Sequence, residues 1–450
     1  MSLFLIIEQL HTNLSYNVLI NVCFKMTNLA IVGAGIGGCS AAYFARQLFP
    51  GIKLTIYDSQ DRIGGRILTY NVAGRRIELG AAFFNRINRT LLDILKTEKL
   101  ETIRFERMDF AVWNGSKFVF RSNKESLTPF LKLFLKYRLS LTRTYLLLRR
   151  VNSQIARLYQ EERKNPTDIR QIFESIQLDK WQNKTFYETL KERNINQAFI
   201  DEIATPITRI IYSQNEDLAA FAGISSLIGI YSGETYSLAE GNSILPIHLV
   251  RASSATIKMG KKVDAIEKTS KGDYRVHADN NTMVFDSVII ATPLELADIK
   301  FDGLSLERCR AQTYQSVYQS AMQGVFNPEY FNLNNSIKLP NTILTTKETG
   351  LITQYSIQKA SHGESLVTIS STGPINSVTF KDIFKNSSVS VFDHCWKAAY
   401  PIFKPLNKLP PTRIDKGLMY LNAIEPAASS METSALSAKN AVQMLRAETL

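Results

Sequence analysis

The period of the hydrophobic pattern changes several times along the chain. Leu29 to Val32 is an unbroken apolar run that ends in Gly33-Ala-Gly35-Ile-Gly37-Gly38. Small residues at Ala41, Ala42 and Ala45 follow at helical spacing, and then a second run, "IKLTIY", closes on Asp58. A buried strand, a tight turn, a helix and a second buried strand make a βαβ unit. From about 91 to 235 the pattern is helical and aromatic. Between about 255 and 292 it becomes strand-like in "KKVDAIEK", "DYRVHA" and "SVIIATP". The stretch from about 300 to 410 mixes strands and helices, with "NTILTT", "LITQYSI" and "SLVTISS" alternating before the proline-rich "YPIFKPLNKLPP". Near the end, "GLMYLNAIEPAASSMETSALSAKNAVQML" reads as a strand, a small-residue turn and a helix from about Ser430.

Nucleotide-like elements therefore occur at the start, about two-thirds along, and at the end, with no internal repeat. The expected fold class is α/β: a Rossmann-like nucleotide-binding lobe assembled from discontinuous segments (27–90, 236–300 and 410–450), and an α+β substrate-binding lobe (91–235 and 301–409). Residues 1–26 are a poorly defined leader. They are apolar at first but lack a basic start, and Glu8, Gln9, His11 and Asn13 interrupt them early.

Composition changes this picture little. With 45% hydrophobic and 21% charged residues the chain is an ordinary globular protein, and no run approaches the length of a spanning helix. The net charge of +12 fits an acidic partner, a membrane surface or simply a solvated basic face. Nucleic acid is not expected, because the cations are not interleaved with any RNA-reading motif. Cys23, Cys39, Cys309 and Cys395 lack metal-ligand spacing, so neither a metal site nor a disulfide framework is expected. Sequons at Asn13, Asn88, Asn114, Asn183, Asn280, Asn334 and Asn386 lean towards secretion without deciding it.

The glycine motif carries the chemistry. Gly33 allows the tight turn, Gly35 lets the backbone approach a pyrophosphate, and Gly38 permits close packing of helix on strand, with the pyrophosphate at a helix N-terminus. Asp58, twenty residues beyond Gly38, is placed to accept from a ribose diol. The plainer alternative is a glycine-rich turn packed on a sheet. "DRIGGRILTY" adds Gly64, Gly65 and the Arg66 guanidinium, which suit the same phosphates. "RRIELGAAFF" then supplies Glu78, Gly80 and Ala81, the glycine allowing backbone close to a flat ring.

Together these pieces resemble the glutathione-reductase-like FAD-dependent oxidoreductases. Within them, "TPITRIIYSQNEDLAAFAG", "LAEGNSILPIHLV", "WKAAYPIFKP" and "YLNAIEPAASSMETSALSAKNA" resemble the prenylcysteine oxidase family, over about residues 28 to 445. The resemblance implies FAD as cofactor. It also implies cleavage of S-farnesyl- or S-geranylgeranyl-cysteine with O2 and water to cysteine, a prenyl aldehyde and hydrogen peroxide. It places Val263 near the adenine, Gly241-Asn242 as a second glycine element, and Asn422 and Glu432 at the flavin where the last strand and helix return to the first sheet. It implies a glycosylated protein of the lysosome or secretory pathway, though the leader departs from the family pattern. Pro426, in the turn beside the flavin, departs too and would reshape the flavin edge slightly.

Hydride loss from an allylic carbon bonded to sulfur gives a cation that the sulfur lone pair and the double bond both stabilise, so the protein need supply mainly position and dryness. The candidate base or water-positioning group is Glu425, with Tyr212 and Asn215 as pocket lining; each could equally be a packing residue. The five histidines are dispersed. The stretch from 129 to 151 reads as an amphipathic helix, with Lys132, Lys136, Arg143 and Arg150 on one stripe and Phe130, Phe134, Leu141, Tyr145 and Leu148 opposite. It covers the prenyl tunnel, rests on an anionic lipid surface as a peripheral membrane contact, or packs as a core helix with a basic outer face. Two other functions remain open: a flavin amine oxidase acting on a lipid-like amine, and a flavoprotein without turnover that binds prenyl lipids.

Overall fold

The computed structural model describes residues 26 to 449, apart from 73–74, 106–109, 122–134, 165–166, 232, 305, 307–311, 334–338, 360–363, 376 and 386–387. The leader residues 1–25 lie outside the described residues.

The chain opens with β1 (Asn28–Val32), α1 (Ile36–Leu48) and β2 (Lys53–Tyr57), in the order the apolar runs predict. A hairpin, β3 (Thr69–Val72) and β4 (Arg75–Glu78), leads to α2 (Arg89–Thr97). The expectation of a wholly helical stretch after 91 fails at β5 (Phe110–Trp113) and β6 (Phe118–Arg121). These form a hairpin around Asn114 and Gly115; the glycine holds φ +91°, which a side chain resists, and Asn114 Oδ1 accepts from the Ser116 and Lys117 amides. Helices then dominate: α3 (Leu139–Lys164), α4 (Ile169–Ser175), α5 (Thr205–Tyr212) and α6 (Ala220–Tyr231). The remaining elements used below are β7 (Thr256–Lys258), β8 (Ser287–Ile290), β9 (Tyr314–Gly324), β10 (Thr342–Thr345), β11 (Ile352–Lys359), β12 (Ser365–Ser371), β13 (Val389–Pro401), β14 (Arg413–Asp415), β15 (Leu418–Tyr420) and α7 (Met431–Thr449).

Two sheets organise the molecule. One runs β7-β2-β1-β8-β15-β14 and is parallel except for the β15–β14 edge. Its register puts Ile31 beside Ile56 and Ile289, and Ile290 beside Tyr420, so the chain ends meet in the middle of one sheet. Both faces are covered, which is why its strands read as unbroken apolar runs. α1 and α7 lie on one face, where Ala41, Ala42 and Ala45 share a core with Ala435, Ala438, Ala441 and Leu445. The other sheet runs β13-β9-β12-β11-β10-β5-β6 and is antiparallel except for β10 on β5. One face of this sheet, with Ile343, Tyr355, Ile357, Val367 and Ile369, packs on Trp113, Phe326, Phe331 and Phe384.

The predicted amphipathic helix departs from its expected span. Arg138 holds φ +42°, so the regular helix starts at Leu139; Phe130, Lys132 and Phe134 lie outside the described residues. Leu147, Leu148 and Val151 face the core, Leu141 is half-buried, and Tyr145 is exposed rather than inward. Leu139 and Leu146 also stand outward, so the outer face is not purely basic.

Candidate active site

The two glycine turns are built against each other. The Gly33 amide donates to Tyr57 O, and the Gly64 amide donates to Ala34 O at 2.9 Å. A Cβ on Gly38 would lie 1.9 Å from Gly33 O, and one on Gly80 would lie 2.0 Å from Arg66 O, so both glycines are required by the protein's own packing. Gly37 is looser, with Leu421 and Ser434 beyond 3.5 Å. Gly35 differs in kind: its φ is −74°, and a Cβ there would meet nothing nearer than Gly65 Cα at 3.9 Å. No side chain caps the α1 N-terminus that Gly35 opens, and no acid stands in its first turn. Open space facing uncapped helix amides suits a pyrophosphate, so these residues fit a dinucleotide. Gly65 holds φ +55° against Gly35, and Arg62 fixes this second turn by donating to Gly65 O and Ile67 O.

Asp58 ends β2 beside this cradle. Its Oδ2 accepts from the Ala34 amide at 2.6 Å and its Oδ1 from the Gln60 amide at 2.8 Å, which fixes the carboxylate at the glycine loop. Val263 is buried against Val32 and Tyr57, two residues beyond Lys261, whose amide donates to Asp58 O. Asn242 links the second glycine element to the turn after β4: its Nδ2 donates to Ala81 O and Ala82 O, and its amide donates to Glu78 Oε1. Burial raises the Glu78 pKa, and the hydrogen bonds from Asn242 and Thr69 offset this only in part.

The strand-to-helix junction at the C-terminus closes one end of a cavity of about 500 Å³. Its walls are Gly80 and Ala81 after β4, Ile424, Ala428 to Thr433 and Leu436 at the junction, the apolar Ile155, Leu158, Phe173 and Phe221 from the helices, and one face of the seven-stranded sheet. Tyr212 lines it, ring against Phe403 at 4.5 Å and Tyr400 at 5.2 Å, and burial pushes its phenol pKa upward.

Four sequence candidates make contacts other than those expected. Glu425 Oε1 lies 2.5 Å from Arg66 Nη1 and accepts from Ser429 Oγ, while Oε2 accepts from Asn422 Nδ2 at 2.7 Å and Tyr314 Oη at 3.3 Å. A carboxylate so engaged positions Arg66 and is no free base. Asn422, expected at the flavin, spends its side-chain amide on that carboxylate. Burial opposes the Arg66 charge, but Glu425 more than compensates and holds the guanidinium pKa above its usual value. Asn215 accepts from Arg209 Nη1 at 2.9 Å and is not among the cavity-lining residues; Arg209 in turn clamps α5 to Gly350 O and Ile352 O. Glu432 touches the cavity wall, but its carboxylate accepts from the Thr90 and Leu91 amides and the Tyr159 hydroxyl, capping α2 where Asn88 supplies no side-chain cap. α7 begins instead on Ser430, whose Oγ accepts from the Thr433 amide.

Sequence reasoning missed the polar sheet face of the cavity, including Gln319, Gln354 and Thr368. Part of its signal was present in "LITQYSI" and "SLVTISS", where Gln354, Ser356, Thr368 and Ser370 face this roofed space rather than open solvent. Among the described residues no group of His, Cys, Asp and Glu could hold a metal, and no helix is long and apolar enough to cross a membrane.

Comparison with known proteins agrees with this geometry. The prenylcysteine lyase family model matches residues 120–449, and a model for NAD(P)-binding Rossmann-like domains matches residues 31–97. The chain is 27% identical to human prenylcysteine oxidase 1, over 92% of this chain and 87% of that protein. It is also 27% identical to the farnesylcysteine lyase of Arabidopsis thaliana, over 93% and 87%. A solved putrescine oxidase with putrescine bound shares the fold, with a TM-score of 0.65 at 14% identity, covering 94% of this chain and 99% of that one. With the family model spanning most of its length, the chain belongs to the prenylcysteine lyase family.

Proposed function

We propose that this protein is an FAD-dependent thioether oxidase that cleaves S-prenyl-L-cysteine, with O2 and water, to cysteine, a prenyl aldehyde and hydrogen peroxide. The observation that carries this reading is one cavity with two kinds of lining: apolar helical walls that suit an isoprenoid tail, and a junction at its end that adjoins a dinucleotide cradle. The α1 N-terminus, Gly35 and the Gly64-Gly65 turn would hold the pyrophosphate, and Gly80 and Ala81 line the cavity that would take the flat ring. When bound, FAD supplies the two-electron acceptor that is reoxidised by oxygen. The chain itself orients the thioether, with Ile155, Leu158, Phe173 and Phe221 giving its isoprenoid tail an apolar lining and leaving the allylic carbon open to the one water that the reaction consumes. Anaerobic titration of the yellow protein with S-farnesylcysteine tests this: bleaching of the flavin band is expected. A flavin that stays oxidised, or bleaches only with long-chain amines, rejects it.

Two finer parts belong to the same proposal. The exposed Leu139 and Leu146 on α3, flanked by the exposed Arg138 and Arg149, form a surface for anionic lipid, where a prenyl substrate would partition. The enzyme works in the lysosome or secretory pathway; the sequon residues Asn183 and Asn280 are exposed and would accept glycans there. A mobility shift on enzymatic deglycosylation of protein from its native cell is the expected result, and no shift would count against this compartment.

A further inference from the structure

The sheet that floors the cavity is covered on both faces; one is apolar, and the other is apolar where Ala321 and Leu366 meet Val72, Ile77 and Leu79 but mainly polar over the cavity. On the far side Ile343, Tyr355, Ile357, Val367 and Ile369 pack into a core. On the near side the alternate positions are Gln319, Gln354, Ser356, Thr368 and Ser370, which line the cavity and are half-buried. A sheet covered on both faces for stability alone carries apolar residues on both, so a neutral polar face turned into an enclosed space marks a polar ligand. The register brings these groups together: Ser370 pairs with Gln319 on one side and Gln354 on the other, and Thr368 pairs with Ser356. Ser370 Oγ donates to Gln319 Oε1 at 3.0 Å, which fixes that amide with its N–H groups available. The Gln354 side chain makes no hydrogen bond among the described residues.

We infer that this face, centred on Gln319, Gln354 and Ser370, binds the cysteine head group of the substrate as a zwitterion. The inference rests on the proposed function for the identity of the thioether. Amides and hydroxyls both donate and accept, so one neutral surface serves the ammonium and the carboxylate together. The sheet face itself carries no carboxylate or cation; the charged residues of the lining, Arg76, Glu78 and Glu432, come from β4 and α7, with Glu78 bonded to Thr69 and Asn242 and Glu432 to Thr90, Leu91 and Tyr159, so this face offers a ligand end of net charge no counter-charge of its own. The tail then extends the other way, along Ile155, Leu158 and Phe221, and the carbon bonded to sulfur lies between the two regions. These are binding residues: they select the substrate and hold it.

The test compares three probes by calorimetry on the flavin-loaded protein: S-farnesyl-L-cysteine, S-farnesylcysteamine, which lacks the carboxylate, and farnesyl methyl sulfide, which lacks the head group. Gln354→Leu is expected to weaken S-farnesylcysteine about ten-fold or more and to leave farnesyl methyl sulfide unchanged. In turnover the loss should lie in KM, with kcat little changed. Gln354→Glu should shift the affinity ratio about ten-fold towards S-farnesylcysteamine, a gain that misfolding cannot mimic. Equal loss for all probes in Gln354→Leu, or an unchanged ratio in Gln354→Glu, overturns the head-group site while leaving the proposed function intact. Wild-type protein that binds S-farnesylcysteine selectively but never oxidises it rejects the function and keeps the site, and wild-type protein that does not bind it rejects both.

Discussion

Arg66 and Glu425, 359 positions apart in sequence, form an ion pair of 2.5 Å that ties the second glycine turn to the C-terminal junction. Arg66 also donates to Ala399 O at 3.1 Å, so one guanidinium joins three segments beside the cavity. Glu425 is buried, whereas a third of the Arg66 side chain is exposed. Glu425→Ala is therefore expected to cost about 2 kcal/mol in urea unfolding, below the range for a fully buried pair, because solvent reaches the arginine. Glu425→Gln should keep kcat within about ten-fold, since the carboxylate positions Arg66 and takes no proton. A loss of a thousand-fold or more in Glu425→Gln, with stability unchanged, would restore the acid–base role. The double variant with Arg66→Met should be less destabilised than the sum of the singles.

The glycines divide by what their missing Cβ avoids. Gly38→Ala would drive a methyl to 1.9 Å from Gly33 O, and should cost about 3 kcal/mol or prevent folding, with or without flavin. Gly35→Ala meets open space at an ordinary φ, so the apoprotein should stay within about 1 kcal/mol of wild type. Its flavin affinity should nevertheless fall about 100-fold, because the methyl would occupy the path of the pyrophosphate. Melting of the apoprotein and fluorescence titration with FAD separate the two effects; normal FAD binding by Gly35→Ala would mean that the cradle holds something else.

The cradle was legible because a parallel sheet covered on both faces must be apolar along whole strands, and because Gly33 and Gly38 answer local steric demands while Gly35 leaves open space. Asp58 followed from its place at the end of the second strand, twenty residues beyond Gly38. The hairpin at Phe110 to Arg121 was not read, as its Asn-Gly turn was outweighed by the helical aromatic stretch after it. Glu432 and Glu425 were placed at the junction, but the contacts they make were not read. Their partners, Thr90 and Arg66, lie 342 and 359 positions away, and no local pattern reports a pairing that only tertiary packing creates. Tyr145 was read inward because a helix was drawn through Arg138, where the backbone turns left-handed and resets the phase.

Glu432 gives the pH dependence a sign. Burial raises its pKa above the usual carboxylate range, and its hydrogen bonds to Leu91, Thr90 and Tyr159 pull it back only in part. Between the unfolded value and the raised folded one, the folded state holds the proton that the unfolded chain has released. Stability therefore falls as pH climbs through that window and levels off above it. Glu432→Gln removes this titration at the cost of one acceptor for the α2 amides. The stability of wild type relative to Glu432→Gln should thus be greater at pH 4 than at pH 7, measured from urea midpoints. An advantage that grows with pH would show that the amides, not burial, dominate the site.

The outward face of α3 separates structural cations from those available to a lipid surface. Lys136 pairs with Glu202, Arg143 donates to Asn194 O, and Arg150 lies over the Trp181 ring at 5.7 Å, so reversing these would disturb the fold. Arg138 and Arg149 are exposed and make no ion pair among the described residues, and Leu139 and Leu146 stand beside them at 62% and 56% exposure. Each basic residue near an anionic surface contributes about 1 kcal/mol, so the double change Arg138→Glu and Arg149→Glu should weaken binding to phosphatidylserine-containing vesicles at least ten-fold. On neutral vesicles the same variant should bind as wild type does, because the electrostatic attraction is absent there. Leu139→Ser with Leu146→Ser should weaken binding to both, since insertion of apolar area does not depend on lipid charge. Vesicle sedimentation measures all four combinations. Charge reversal without effect on anionic vesicles would leave this face as solvated surface, and would require the prenyl substrate to reach the cavity from solution.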